Sequence, residues 1–395
     1  MSRPRAQAQW LRRVLHDETI GGGLMLAAAA LGVLAANSPL SSRYQDFTAH
    51  VISVPGTHLH LTTLQWAADF LLAFFFLVAG AELKHELTSG SLSSLRLASV
   101  PVLGAMGGML LSAGVFLAVC AVTGANADTR MGWAVPTSTD IAFALAVLAI
   151  AGRGVHPGVR VLLLGLAVIN DVGSILIIAF KFAGSVHVMS LLIAAVCVAV
   201  WALLQRREVR FGPVYAVVFL IGWWAMHESG IHATIVGMAF GLACSTKAQR
   251  REETGADTAD RVLRPWVAGL AVPLFAFVSV GVDVTTSGGL LAQPALAVIL
   301  GLVIGQPIGV ALGFWVAVRW LRGEVAAGLQ TRQLAVVACL AGVGFTVALL
   351  VSELAYAKTP ELLAQAKVGV LCASVAASVI ATGVMRFARS SRTDG

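Results

Sequence analysis

The sequence predicts an all-α polytopic membrane protein with about twelve transmembrane helices, and three observations carry that prediction. Of 395 residues, 58% are hydrophobic and only 12% are charged, where soluble domains average about 25% charged. The apolar residues gather in runs close to the roughly 20 residues that a bilayer core requires of a helix. The Lys and Arg between those runs are dense in alternate connections. This composition excludes a cytosolic enzyme, a disordered chain and a nucleic-acid-binding protein. The net charge of +7 is spread over short basic clusters between apolar runs, so no nucleic acid is expected as a partner.

Residues 1–17 are basic (Arg3, Arg5, Arg12, Arg13) and are expected in the cytoplasm. The first apolar run, 20–36, is long and Gly/Ala-rich without a convincing cleavage site, so it reads as a span, not a signal peptide. Residues 37–62 make the longest outer connection. Within it, 51–62 alternates around Pro55-Gly56 and predicts a small exposed hairpin. Further spans are expected near 63–83, 98–122, 131–151, 159–182, 188–204, 211–226, 230–245, 265–281, 295–318, 333–355 and 366–387, the seventh and eighth being short. Residues 246–264 read as a polar cytoplasmic linker and 388–395 as a cytoplasmic tail. The whole chain, 1–395, reads as one integral-membrane domain. Helices are required throughout, because lipid offers no partner for open backbone groups.

Twelve spans place both termini on one side. All but five of the 27 Lys and Arg then fall on that side. Arg43, Arg130, Lys358 and Lys367 fall on the other, and Lys181 at a span end snorkels. This asymmetry puts both termini in the cytoplasm. The five cysteines (Cys120, Cys197, Cys244, Cys339, Cys372) lie inside apolar runs without metal-ligand spacing and read as core or lipid-facing residues.

An Asp at a helix centre costs roughly 2.5–3.5 kcal/mol on insertion scales, so Asp69, Asp140 and Asp171, all inside spans, are informative. Asp69 is expected to face water near the outer side. The fourth span contains Pro136-Thr-Ser-Thr-Asp140, which interrupts the helix, and Thr or Asp caps a new half-helix. In the fifth, Asn170 and Asp171 are adjacent and point about 100° apart, so one faces a cavity while the other braces a neighbour. The eleventh contains Gly342-Val-Gly-Phe-Thr346, a loosened helix in which Thr346 caps the resumption. The tenth is Gly-rich around Gln306.

Spans 3–5 and 10–12 are triplets of opposite orientation, and the middle member of each is interrupted. Interrupted helices at matching positions of two inverted repeats mark a transporter's mid-membrane site. The two are expected to cross there, with Asp140 and Asp171 converging on the crossing.

At these residues the chain resembles the NhaA family of sodium/proton antiporters, from about Glu18 to Arg389. The resemblance rests on Phe76-Leu-Val-Ala-Gly-Ala-Glu-Leu-Lys-His-Glu-Leu87, Gly90-Ser-Leu-Ser-Ser-Leu-Arg96, Thr139-Asp-Ile-Ala-Phe-Ala-Leu145, Ser229-Gly-Ile-His-Ala-Thr234 and Gly342-Val-Gly-Phe-Thr346. It implies that Asp171 is the main cation-binding aspartate, with Asp140 and Thr139 beside it. It also links Glu82, Glu86, His232 and Asp260 to pH response, and the 51–62 hairpin to homodimerisation. Two positions depart from the family: its Asp-Asp pair is Asn170-Asp171 here, and its tenth-span Lys is Gln306. Replacing both partners of a buried charged pair by neutral ones is tolerable where removing one is not. An Asn-Asp pair is similar to that of cation/proton antiporters regarded as electroneutral.

The implied activity is Na+(Li+)/H+ antiport by alternating access, serving pH homeostasis and salt tolerance without a cofactor. Na+ would be held by Asp171, Asp140 and Thr139. Hard cations favour carboxylate oxygens. Protons compete for the same oxygens, and the two carboxylates titrate as a coupled pair. A sodium-coupled organic-anion symporter on a similar inverted-repeat fold is the alternative; it requires an anchoring Arg or a roomy polar cavity, and no Arg lies at bilayer depth. An intramembrane metalloenzyme would rest on His227, Glu228 and His232, whose spacing is off one helix face. Glu82 and Glu86 also fit a solvated helix end. His232 also fits a hydrogen bond near the outer surface, and Asp260 a surface ion pair with Arg261 or Arg264.

Overall fold

The computed structural model describes residues 18–56, 59–90, 92–152, 154–209, 212–246, 254–282, 289–324 and 329–390. Among them every regular element is helical except one hairpin. The segment 1–17, residues 57–58, Arg153, residues 247–253 of the expected linker and the last five residues lie outside the described residues.

Each of the twelve expected spans coincides with a helix or a broken helix pair. Seven described helices are individually long and apolar enough to cross a bilayer, and three bent pairs raise the number to ten. The two spans that fail on length are Gly212–Glu228 and Thr234–Leu242, the two that the sequence shows as short. Apolar side chains face outward along several of these helices, as Met189, Leu192 and Val196 do. Exposed apolar surface of that extent is a membrane property, not that of a soluble monomer.

Contacts divide the chain into two units. One comprises residues 1–90 and 175–281, the other 91–174 and 282–395. The second is the two predicted triplets, packed together.

In the first unit, α1 (Glu18–Ala36) bends by 116° into α2 (Ser41–Ala49). Then β1 (Val51–Ser53) pairs antiparallel with β2 (His60–Thr62), Val51 opposite Thr62, which is the expected hairpin. A capping box, Thr62 with Gln65, starts α3 (Thr63–Thr88). Helices α8 (Val188–Arg206), α9 (Gly212–Glu228), α10 (Thr234–Leu242) and α11 (Gly255–Ser279) complete the unit. Since α11 begins at Gly255 behind a Thr254–Asp257 capping box, the end of the expected 246–264 linker is helix. Glycines let α3 and α10 touch through their backbones: a Cβ at Gly237 would collide with the Ala73 carbonyl and one at Gly241 with that of Leu77.

The second unit holds α4 (Leu95–Val122), α5 (Ala127–Thr137), α6 (Ile141–Ala151), α7 (Gly158–Lys181) as far as Ser174, α12 (Gln293–Trp320), α13 (Thr331–Ala341), α14 (Thr346–Ala355) and α15 (Pro360–Ser390). Helices α4 and α12 lie against each other along Gly104, Gly107, Gly108, Gly309 and Gly313. A π turn, Gly301–Gly305, precedes Pro307 in α12, and another, Val267–Ala271, precedes Pro273 in α11. A proline has no N–H for the carbonyl four residues back and collides with it. In both helices that carbonyl falls inside the widened turn, which moves it aside.

Candidate functional site

The two interrupted helices meet in the second unit. Helices α5 and α6 are bent by 51° at residues 138–140, and α13 and α14 by 41° at 342–345. In the first, α-helix ends at Arg130 and a 3-10 helix, Met131–Thr137, carries the chain past Pro136, after which the backbone is extended at Ser138 and Asp140 and runs against Val343. The Asp140 N–H donates to the Val343 carbonyl at 2.7 Å, and the Thr139 hydroxyl donates to the Ala341 carbonyl at 2.7 Å. Glycine is needed on the facing strand of chain: a Cβ at Gly344 would press into the Ser138 carbonyl, and one at Gly342 into that of Leu302. Ser374 of α15 steadies the crossing by donating to the Gly344 carbonyl at 2.7 Å.

Asp140 caps both resumed half-helices. One carboxylate oxygen accepts the Phe143 N–H at 2.9 Å, at the start of α6. The other accepts the Thr346 N–H at 2.9 Å, at the start of α14. Two helix N-termini, each carrying partial positive charge, thus share one buried carboxylate. Thr346 is therefore not the cap that the sequence suggests. It occupies the first turn, and its orphan N–H is satisfied across the crossing. A bond between positions 206 residues apart leaves no local signal.

Thr139 is the hub of the neutral groups. Its hydroxyl accepts from the Asn170 amide at 2.8 Å and from the Gln306 amide at 3.3 Å. Gln306 also lies against Gly108 of α4. Asn170, Asp171, Thr139, Asp140 and Gln306 are all buried. Of the adjacent pair on α7, it is Asn170 that reaches the crossing through Thr139.

Asp69 does not face water. It is buried, with one oxygen 3.2 Å from His227 Nδ1 and the other 3.0 Å from His232 Nδ1. The histidines that enclose it come from a distant part of the chain, and Trp223 donates to the Asp69 carbonyl at 3.0 Å. His227 and His232 therefore meet through Asp69, not through Glu228, and no cluster able to hold a metal occurs among the described residues.

Asp260 accepts from Arg264 Nε at 2.7 Å, one turn away on α11. The same guanidinium also pairs with Glu82 of α3. The ion pair read as local is a three-member network. Glu86, one turn past Glu82, is half-buried beside Gly90. Lys181 is exposed at the end of its helix.

Lys367 also departs from expectation. Counted as an outer-loop charge, it lies inside α15, is 5% exposed and pairs with Glu353 of α14. A Lys and a Glu at the facing ends of consecutive spans is the signal that would have found the pair. Removing one partner of a buried pair strands the other, at about 3–5 kcal/mol, whereas an apolar replacement of both is often neutral. Glu353 retains some solvent, so we expect Lys367→Met to lower stability by about 2 kcal/mol and Lys367→Met/Glu353→Leu to recover most of it. Thermal unfolding in detergent measures both.

The sequence pattern of the Na+/H+ antiporter 1 family matches residues 12–385. The chain is similar to the Na+/H+ antiporter NhaA of Frankia casuarinae, 41% identical over 391 residues, which cover 96% of this chain and 88% of that protein. It is also similar to the NhaA of Escherichia coli K12, 39% identical over 382 residues, 95% and 97% of the two chains. Among solved structures, the sodium proton antiporter MjNhaP1 of Methanocaldococcus jannaschii matches with a TM-score of 0.54 at 15% identity, over 96% of this chain and 98% of that one. That likeness supports the fold.

Proposed function

The chain belongs to the Na+/H+ antiporter 1 family, and from that premise we propose that it exports cytoplasmic Na+ in exchange for protons, one for one, with Asp171 as the exchanging carboxylate. It is a secondary transporter, not an enzyme, and Na+ and H+ are its cargo. Li+ fits the same oxygen chemistry.

The observation that carries the one-for-one reading is the uncharged hub: Asn170 and Gln306 both hydrogen-bond to Thr139. Asp140 spends its two oxygens on two helix ends, so its charge compensates their dipoles through the cycle. That leaves Asp171 to hold either a proton or, with Asp140 and the Thr139 backbone carbonyl alongside, a Na+. The site has the same charge in either loaded state, and exchange moves no net charge. Protons and Na+ compete for one carboxylate, so the KM for Na+ falls as pH rises.

An organic-anion symporter would need a buried cationic anchor. Among the described residues the only buried basic side chain is Lys367, and it is paired with Glu353.

Glu82, Asp260 and Arg264 form a network suited to a pH response, with Glu86 at its edge, and the Asp69–His232 contact is a second such element. The 51–62 hairpin, whose first strand Val51–Ser53 is exposed while Leu59 and Leu61 are buried, is the proposed homodimer contact. The density of Lys and Arg in alternate loops supports an inner-membrane location with both termini cytoplasmic. The burial of Lys367 leaves Arg43, Arg130 and Lys358 as the outer basic residues, which sharpens that asymmetry.

Proteoliposomes enclosing a pH dye test the function. External Na+ is expected to drive proton efflux and alkalinise the lumen. A carrier moving one net charge would feel about 2.3 kcal/mol per 100 mV. Clamping the potential with a K+ gradient and valinomycin is expected to leave the rate unchanged. Exchange that responds strongly to the clamp would refute the one-for-one stoichiometry.

A further inference from the structure

We infer that the side-chain carbonyl oxygens of Asn170 and Gln306 are ligands of the transported cation, a reading that rests on Na+ being the cargo of this site. The argument begins at Thr139. Its hydroxyl proton is committed to the Ala341 carbonyl at 2.7 Å, so toward its other neighbours the oxygen can only accept. A hydroxyl has two lone pairs, and two amides approach it, Asn170 at 2.8 Å and Gln306 at 3.3 Å. Each must present its NH2 end. Thr139 therefore fixes the orientation of both amides, and both carbonyl oxygens turn away from it.

Among the described residues neither oxygen has a hydrogen-bond donor. Asn170 Oδ1 and Gln306 Oε1 are buried and unpartnered among the described residues, and both side chains are 0% exposed. Buried acceptors in folded proteins are almost always satisfied. Two orphaned on amides that share one hydroxyl suit a species that supplies positive charge and no hydrogen bond. A small hard cation stripped of water is such a species, and neutral carbonyl oxygens are ligands it accepts. Asn170 adjoins Asp171 on α7 and shares Thr139 with Gln306, so as ligands the two amide oxygens would add to the oxygens that Asp171 offers without adding charge. They bind Na+ but not protons. In this chain they favour the cation over the proton in their competition for Asp171.

The alternative is that both amides only brace Thr139. Gln306→Glu and Gln306→Met separate the two. Glu keeps side-chain oxygens and loses the NH2 donor, whereas Met loses both at similar volume. The readouts are Na+-dependent thermal stabilisation of the purified chain, which reports binding directly, and the KM for Na+ in proteoliposomes. Gln306→Met is expected to weaken Na+ binding about tenfold with a smaller change in maximal rate, and Gln306→Glu to match or exceed the unmodified protein. Asn170→Leu and Asn170→Asp should repeat that contrast if Gln306→Met does not fold. Equal loss in the Met and Glu variants, or no loss in either, overturns the inference and leaves the antiport reading intact. Na+ binding by the unmodified chain without exchange would instead overturn the antiport reading alone, and absence of Na+ binding would overturn both.

Discussion

Asp171→Asn is expected to reduce Na+-dependent proton movement to the level of empty vesicles at every pH. The substitution keeps the volume and one acceptor oxygen but removes the only group on that turn of α7 that can hold a proton in one state and a cation in the other. An amide neither titrates in this range nor carries the charge that a desolvated cation needs. Folding should survive, because Asn170 keeps its bond to Thr139 and an uncharged residue is easier to bury than a carboxylate. The Na+-dependent rise in thermal stability should vanish along with exchange, while the unfolding temperature without Na+ stays the same or increases. Asp171→Glu, which restores the carboxylate one methylene further out, should recover part of the exchange. Full activity in the Asn variant would remove Asp171 from the transport cycle.

Much of the fold is legible because membrane insertion is a local test. A run of apolar residues is long enough or it is not, and Gly212–Glu228 and Thr234–Leu242 are short in the structure as they are in the sequence. The interruptions are legible too, since Pro136 and Gly342 act on their own backbone. Orientation is harder to read. A membrane helix is apolar on most of its surface, so periodicity does not say which face meets protein. Asp69 shows the consequence: its span is correct, but its partners His227 and His232 are 158 and 163 positions on, and nothing near it in the chain announces them. The same holds for Gln306, which meets Thr139 across 167 positions. Its residue type is visible as a departure from the family, whereas its partnership with Asn170 through one hydroxyl is a property of the fold alone.

Asp140 is where structure and transport are most closely joined, and its replacement separates the two. In Asp140→Ala the Phe143 and Thr346 N–H groups lose their acceptor together. Each buried N–H left unsatisfied costs about 1–3 kcal/mol, and a lost N-cap costs typically about 1 kcal/mol within that range. The helix ends also lose the negative charge that offsets their dipoles. A fall of about 4 kcal/mol in stability is expected from the pair, with exchange lost because the crossing no longer holds Thr139 in place. Asp140→Asn is the sharper variant. Its single carbonyl oxygen can serve Phe143 or Thr346 but not both, and its NH2 group would face the other N–H, donor against donor. It should therefore be destabilised by roughly half as much. If Asp140 acts through geometry, residual exchange in Asn should keep the pH profile of the unmodified protein at a lower rate. A shifted profile at undiminished stability would mean that Asp140 itself takes up and releases the proton, and that the double cap is incidental.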